Sequence, residues 1–331
     1  MKKYAIIGFG GLGKVHFLNL LEIEKARGDI ELKAICNSSL EGITKSMELN
    51  ITSVSMDNID FSKYNLYTDY KEMLEKEELD FVFIALPSHL HAEVSVYCLK
   101  KGLDVFSEKP MAIVPKDCRM MADCAKECRK KLMIGQALRF SDEYIFLKDA
   151  IDNGTYGKPV KAEFSRKSPL PLWSSENWLL KDDKSGGCII DMHVHDVDIM
   201  VWLFGKPLDV HTVSSHKMAE FESVYAIYSY PDISVSINTD WGIHSSYKFK
   251  ATYGVTFEDA YVECIGNEIT VYKNDGTEKF SVSKDNPMYK REIEEFVDCV
   301  VCDKPFQTTS LESVCDTMDT VFTEKYGKEK I

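Results

Sequence analysis

The sequence predicts an α/β protein of two domains. An N-terminal doubly wound parallel sheet is followed by an α+β domain with a large open antiparallel sheet. Three observations carry this. The 331-residue length suits two domains of about 100–200 residues each. Short apolar runs alternate with amphipathic stretches as far as residue 140, the rhythm of βαβ units. From Leu208 onward, long alternating runs are broken by turn residues, as in hairpins. The expected division is 1–140 and 141–331.

In order along the chain, the strands of the first domain are expected at Tyr4–Ile7, Leu32–Cys36, Asn65–Tyr67, Phe81–Leu86, Asp104–Phe106 and Leu132–Ala137. Helical stretches such as Glu93–Lys101 and Lys116–Lys131 lie between them, while Asn50–Lys63 is polar and follows neither period. A helix from Asp142 to Asp152 closes at Asn153-Gly154. Between Leu208 and about Val282, Tyr230-Pro231-Asp232 and Asn274-Asp275-Gly276 mark hairpin turns. A final helical region, Met288 to about Tyr326, is interrupted at Lys304-Pro305.

Charge narrows the partners. With 40 Lys+Arg against 53 Asp+Glu the formal charge is -13, a field that repels nucleic acid and anionic membrane. No run approaches the roughly 20 apolar residues of a membrane span, and Met1-Lys2-Lys3-Tyr4-Ala5-Ile6-Ile7 turns into glycines too early for a signal peptide. A cytoplasmic protein is expected. The 10 cysteines follow no framework spacing, so reduced structural thiols are expected rather than disulfides.

Gly8-Phe9-Gly10-Gly11-Leu12-Gly13 follows the first apolar strand and opens an amphipathic stretch containing Val15, Leu18 and Leu21. Alone, a G-x-G-x-x-G is a weak signal. In this context Gly8 permits the tight turn, Gly10 lets backbone approach a pyrophosphate, and Gly13 allows close helix–strand packing. The second strand should end at an adenosine ribose, where an acidic residue would accept from both hydroxyls of NAD. Here the chain has Asn37-Ser38-Ser39. Neutral groups permit NADP without excluding NAD, and Asn37 reads equally well as a turn residue.

Asp104-Val105-Phe106-Ser107-Glu108-Lys109-Pro110 places a charged pair at the carboxyl end of a parallel strand, the edge where open α/β sheets bind ligands. The second charged cluster runs from Gly186-Gly187 through Asp191, His193 and His195 to Gly205. Ile190, Val194, Val197, Val201 and Phe204 fall at helical spacing, so Asp191 and His195 share a face and His193 points away. As a strand, all three would share one face and could gather a metal. The helical period favours an Asp/His acid–base pair with no metal.

The chain resembles the Gfo/Idh/MocA family, named for glucose-fructose oxidoreductase and inositol dehydrogenase. The resemblance rests on the glycine loop, on Leu86-Pro87-Ser88-His89-Leu90-His91-Ala92-Glu93, on Gly102 to Pro110, on Gln136-Ala137-Leu138-Arg139-Phe140, on Gly154-Thr155-Tyr156-Gly157-Lys158-Pro159, and on Gly186 to Gly205. It implies a Rossmann domain plus an open-faced sheet used in oligomerisation, so a homodimer or homotetramer. It also implies NAD or NADP as cofactor and hydride transfer at a sugar, polyol or inositol-like carbon.

By that resemblance Lys109 is the catalytic lysine, Asp191 a substrate-orienting acid and His195 the acid–base histidine. Leu86, Pro87, His91 and Glu108 line the cofactor beside the loop Gly8 to Gly13, Asn37 and Ser38. On the substrate side stand Arg139, Trp173, Trp178 and His193. Three positions depart from the family pattern. Ser88 replaces the usual Asn, Asn37 the Asp of NAD-dependent members, and His193 a small residue. Two other readings remain: a non-catalytic nucleotide-binding sensor on the same fold, and a metal-dependent hydrolase, which leaves the glycine loop unexplained.

Overall fold

The computed structural model describes residues 1–48, 53–172, 174–283 and 287–328. It contains two compact units. The first comprises Met1–Ala112, Lys116–Gly135 and Tyr289–Leu311; the second comprises Ile113–Pro115, Gln136–Met288 and Glu312–Ile331. The chain thus crosses near the expected division but returns to the first unit late, a feature absent from a single split at residue 140.

The first unit is a six-stranded parallel sheet of β1 (Lys2–Ile7), β2 (Ile30–Cys36), β3 (Asn65–Tyr67), β4 (Phe81–Ile84), β5 (Asp104–Glu108) and β6 (Leu132–Gly135). Its order is β3-β2-β1-β4-β5-β6, that of a dinucleotide-binding sheet. Two central strands carry unbroken apolar runs, as expected where helices cover both faces: Tyr4 to Ile6 and Phe81 to Ile84 are fully buried. Helices α1 (Gly11–Arg27), α2 (His91–Lys100) and α3 (Pro115–Cys128) follow β1, β4 and β5.

The late return is explained by one aromatic side chain. Phe81 and Phe83 lie two apart on one face of β4, and Phe83 pairs with Phe106 of β5. Phe296, from the helix Met288–Val301, packs edge-on against all three at 5.8, 5.2 and 5.6 Å. That is the favoured geometry for aromatic pairs.

The second unit holds an eight-stranded sheet of β7 (Pro159–Pro169), β8 (Asp209–Ser215), β9 (Ser223–Ser229), β10 (Ser234–Ile243), β11 (Lys250–Phe257), β12 (Tyr261–Ile265), β13 (Glu268–Lys273) and β14 (Gly276–Ser281). Its order is β8-β9-β10-β7-β11-β12-β13-β14. All neighbours are antiparallel except β7 and β10, which run parallel. Period-two alternation sends Phe164, Ala226, Tyr228, Ile237 and Val255 inward, while Val213, Tyr225, Ile227, Tyr261 and Tyr272 stand exposed on the opposite face. Two helices of this unit are α4 (Asp142–Asp152) and α5 (Val194–Phe204), the latter continuing a π-helical turn over Ile189–His193.

Candidate functional site

The first unit gathers its candidate residues at the carboxyl ends of three neighbouring strands. The turn after β1 is compelled by backbone space. Gly8 has φ +93°, and a Cβ there would lie 2.3 Å from the Ala85 carbonyl oxygen; a Cβ on Gly13 would lie 2.2 Å from the Gly8 carbonyl oxygen. No side chain caps α1 and no acidic residue occupies its first turn, while a Cβ on Gly10 would meet nothing within 4 Å. Unsatisfied N–H groups, an open approach and no competing negative charge fit an anionic pyrophosphate. Gly11 and Leu12 are half-buried there, and the Phe9 ring turns inward onto Phe17 at 5.2 Å.

Asn37, at the end of β2, is tied into this loop. Its Oδ1 accepts from Phe9 N–H at 3.1 Å and its Nδ2 donates to the Ser39 carbonyl at 2.8 Å. Ser38 beside it is exposed. The turn role and the place beside the glycine loop therefore coincide in one residue. The neighbouring ammonium of Lys14 is spent on the Gly42 carbonyl at 2.7 Å and on that of Lys45; burial pulls its pKa below the ordinary value.

Leu86 and Pro87 follow β4, half-buried, with Ser88 buried. His91 is 1% exposed. Its Nδ1 stands 2.8 Å from the Pro110 carbonyl and its Nε2 2.8 Å from the Leu86 carbonyl. The ring thus lies between the loop after β4 and the turn after β5; burial lowers its pKa, and a neutral imidazole donates to only one of the two carbonyls. In that turn Lys109 is half-buried and precedes a cis proline, Pro110. Glu108 Oε2 accepts the Lys109 backbone N–H at 3.2 Å, and its Oε1 is hydrogen-bonded to His16 Nε2.

In the second unit Ile189–Phe204 is helical, as the apolar spacing predicts. Ile190 and Asp191 both donate to the Gly187 carbonyl, at 3.1 and 2.9 Å, at the entry to a widened turn. Such π-turns recur at functional sites. Asp191 and His195 are half-buried, while Met192, His193 and Val194 are buried.

His193 faces the sheet. Its Nδ1 lies 2.8 Å from Thr239 Oγ1 and its Nε2 2.7 Å from Glu324 Oε2, with Tyr228 O–H donating to Glu324 Oε1 at 2.9 Å. Its ring is fully buried with both nitrogens engaged, which accounts for it as a packing residue. Asp191, His193 and His195 do not converge. Among the described residues, the one group of His, Cys, Asp and Glu side chains close enough to share an ion is His16, Glu108 and Glu292.

Arg139 is also internal. It donates to Asp198 through Nε at 2.8 Å and Nη2 at 2.7 Å, and to Ser313 Oγ at 3.0 Å. Trp178 packs against Leu179, Cys188, Met192 and Trp241. Trp173 lies outside the described residues. The ten cysteines form no disulfide; burial pushes Cys36 to about 11 and Cys98 to about 12, so neither is a ready nucleophile.

Sequence reasoning assigned no role to His16, Glu292, Arg166, Asp196 or Asp198. A polar residue on the buried face of an amphipathic helix was the available signal for His16, and the acidic residues flanking His195 were the signal for Asp196 and Asp198.

Sheet order, glycine turn and strand-end residues define a dinucleotide-binding α/β protein. Residues 2–136 match the model of the oxidoreductase family with an NAD-binding Rossmann fold, and residues 144–276 match that of the GFO/IDH/MocA C-terminal domain. The chain belongs to the Gfo/Idh/MocA family.

A myo-inositol 2-dehydrogenase of Thermotoga maritima is 27% identical over 208 residues, 62% of this chain and 56% of that protein. A D-glucoside 3-dehydrogenase of Escherichia coli is 28% identical over 217 residues, 65% and 57% of the two chains. The chain thus spans about half the length of the curated relatives it matches. Among solved structures, a myo-inositol 2-dehydrogenase from Lactobacillus plantarum superposes with a TM-score of 0.79 at 22% identity, over 99% of this chain and 97% of that one. An Agrobacterium radiobacter oxidoreductase solved with NAD+, L-tartaric acid and magnesium gives a TM-score of 0.80 at 16% identity, over 99% and 96%. Both likenesses are of fold.

Proposed function

We propose that the protein is an NAD(P)-dependent dehydrogenase or reductase. It transfers hydride between the nicotinamide and a secondary hydroxyl or keto carbon of a sugar, polyol or inositol-like substrate. The observation that carries this reading is the convergence on one sheet edge of the glycine turn after β1, Leu86-Pro87 after β4 and Glu108-Lys109 at the end of β5. Open α/β sheets bind ligands at that edge. The glycine loop and the start of α1 would hold the pyrophosphate, Asn37 and Ser38 the adenosine ribose, and Leu86, Pro87 and Glu108 the nicotinamide side. The bound nicotinamide supplies the hydride acceptor for oxidation, or the donor for reduction.

In this reading His195 takes the hydroxyl proton during oxidation and returns it during reduction, since imidazole exchanges protons near neutral pH. Lys109 hydrogen-bonds the same substrate oxygen and stabilises its alkoxide character, an oxyanion-type contribution on the order of 3–4 kcal/mol. Asp191 orients the imidazole or a neighbouring substrate hydroxyl. Arg139 and His193 act from within, holding α5 and its preceding turn. The exposed apolar sheet face, with Val213, Tyr225, Ile227, Tyr261 and Tyr272, supports assembly as a homodimer or homotetramer.

The test is titration with NADH and NADPH followed by fluorescence, then a screen of sugars and polyols with the tighter cofactor. Substrate-dependent cofactor turnover is expected. Tight nucleotide binding with no turnover against any member of the panel would instead support the non-catalytic sensor.

A further inference from the structure

The first unit contains a buried polar cluster, of which the reaction above uses only Glu108. His16 of α1, Glu108 at the end of β5 and Glu292 of the helix Met288–Val301 each bring one nitrogen or oxygen within 4.8 Å of the others. They are 1%, 5% and 0% exposed. Their surroundings are aromatic, with the His16 ring 5.5 Å from Phe106 and 5.9 Å from Tyr289. His16 Nε2 engages Glu108 Oε1, while His16 Nδ1 has no hydrogen-bond partner and no donor reaches either Glu292 carboxyl oxygen, which leaves the Glu108 carboxylate, within 4.8 Å, as the acceptor a proton on Glu292 would meet.

Two ionised carboxylates in such a space would repel each other in a poor dielectric. A carboxylic acid beside a carboxylate instead shares its proton with it. Burial first, and the Glu108 charge second, push Glu292 well above the usual carboxyl range. A divalent ion would be the other way to reconcile two acids. Against it, His16 Nε2 is spent as a donor to Glu108 Oε1 and so offers no lone pair to an ion. A neutral imidazole donating through Nε2 also leaves Nδ1 bare, as found.

We propose that Glu292 and His16 are positioning residues for Lys109: Glu292, as the neutral acid, and His16 both donate to the Glu108 carboxylate, which holds the backbone N–H of Lys109. One negative charge is thereby fixed by three donors, two from helices and one from the turn it orients. The inference deepens the proposed function and rests on its reading of Lys109, but its test does not require turnover.

Difference infrared spectra of the full-length wild type against Glu292→Gln at neutral pH are expected to contain the carbonyl band of a protonated carboxyl, present in the wild type and lost in the variant. A wild type without that band overturns the proposal, as does a stoichiometric bound metal in the purified protein. In hydrogen exchange, the Lys109 amide is expected to be protected in the wild type and in Glu292→Gln, whose amide still donates. It should exchange at least about tenfold faster in Glu292→Leu, with the β1 amides unchanged, as for a local opening. Equal protection in all three proteins, or equal loss in both variants, overturns the positioning role. An absence of dehydrogenase activity alongside these results strikes the redox reading alone.

Discussion

Arg166 and Asp196 meet as a buried fork: Nε donates to Oδ2 and Nη2 to Oδ1, both at 2.9 Å. Arg166 lies on β7 and Asp196 on α5, so the pair fastens the sheet to the helix immediately beyond His195. Arg139 and Asp198 repeat the device two residues later. Truncating one partner of a buried pair strands the other charge, so Asp196→Ala or Arg166→Ala should each cost about 3–5 kcal/mol. An Arg166→Met/Asp196→Leu double variant should lose much less than the two singles together. Urea unfolding measures both, and a single variant within about 0.5 kcal/mol of wild type would contradict the account.

In the proposed reaction Lys109 and His195 act on the transition state, so Lys109→Ala and His195→Ala should each lower turnover at least about 100-fold while the cofactor still binds. Steady-state kinetics with a substrate from the panel, paired with a fluorescence titration of cofactor, separates the two effects. Near-wild-type turnover in either variant would remove that residue from the chemistry.

Gly13→Ala places a methyl 2.2 Å from the Gly8 carbonyl oxygen, and backbone has nowhere cheap to go. The strain should cost about 1–3 kcal/mol and open the turn that presents the α1 amides. Cofactor affinity is expected to fall at least about tenfold, which is 1.4 kcal/mol. Thermal shift with and without cofactor reads both losses, and unchanged binding would show that the turn does not carry the phosphates.

Stability should depend on pH through Glu292. Its folded-state pKa lies above the value of about 4.3 that an unperturbed glutamate has in an unfolded chain. The folded state therefore binds the proton more tightly, and the penalty for keeping it grows as pH rises above that value, until the folded pKa is reached. Glu292→Gln removes this titration. Its melting temperature relative to wild type is expected to be higher at pH 8 than at pH 5, and a difference that is flat or opposite in sign across that range would refute the shift.

Much of the architecture was readable because the first sheet is covered on both faces and its central strands carry plain apolar runs. Asn65–Tyr67 and Asp142–Asp152 have the expected bounds, and Asn274-Asp275 falls between two strands as a turn should. The central strand β7 was not expected. Lys161, Glu163 and Lys167 keep its outward positions, but the charged Arg166 stands at an inward one and breaks the apolar alternation, acceptable there only because Asp196 meets it.

At the site, the glycine loop, Glu108-Lys109-Pro110 and the helical placing of Asp191 and His195 were legible from local spacing. His16, Glu292 and the two Arg–Asp forks were not, because each depends on a partner 30 to 184 residues away. No local period encodes such a meeting.

The route of the chain has a consequence for its birth on the ribosome. A nascent polypeptide that has emerged only through β6 has all six strands of its first sheet but lacks the ring that closes over Phe81, Phe83 and Phe106. That aromatic surface stays wet for another 160 residues or so of synthesis, until Phe296 emerges. Meanwhile β7 waits uncovered for β10 and β11. The first unit therefore cannot complete its core until most of the second has been made, and until then it exposes apolar surface of the kind that makes folding intermediates prone to aggregate.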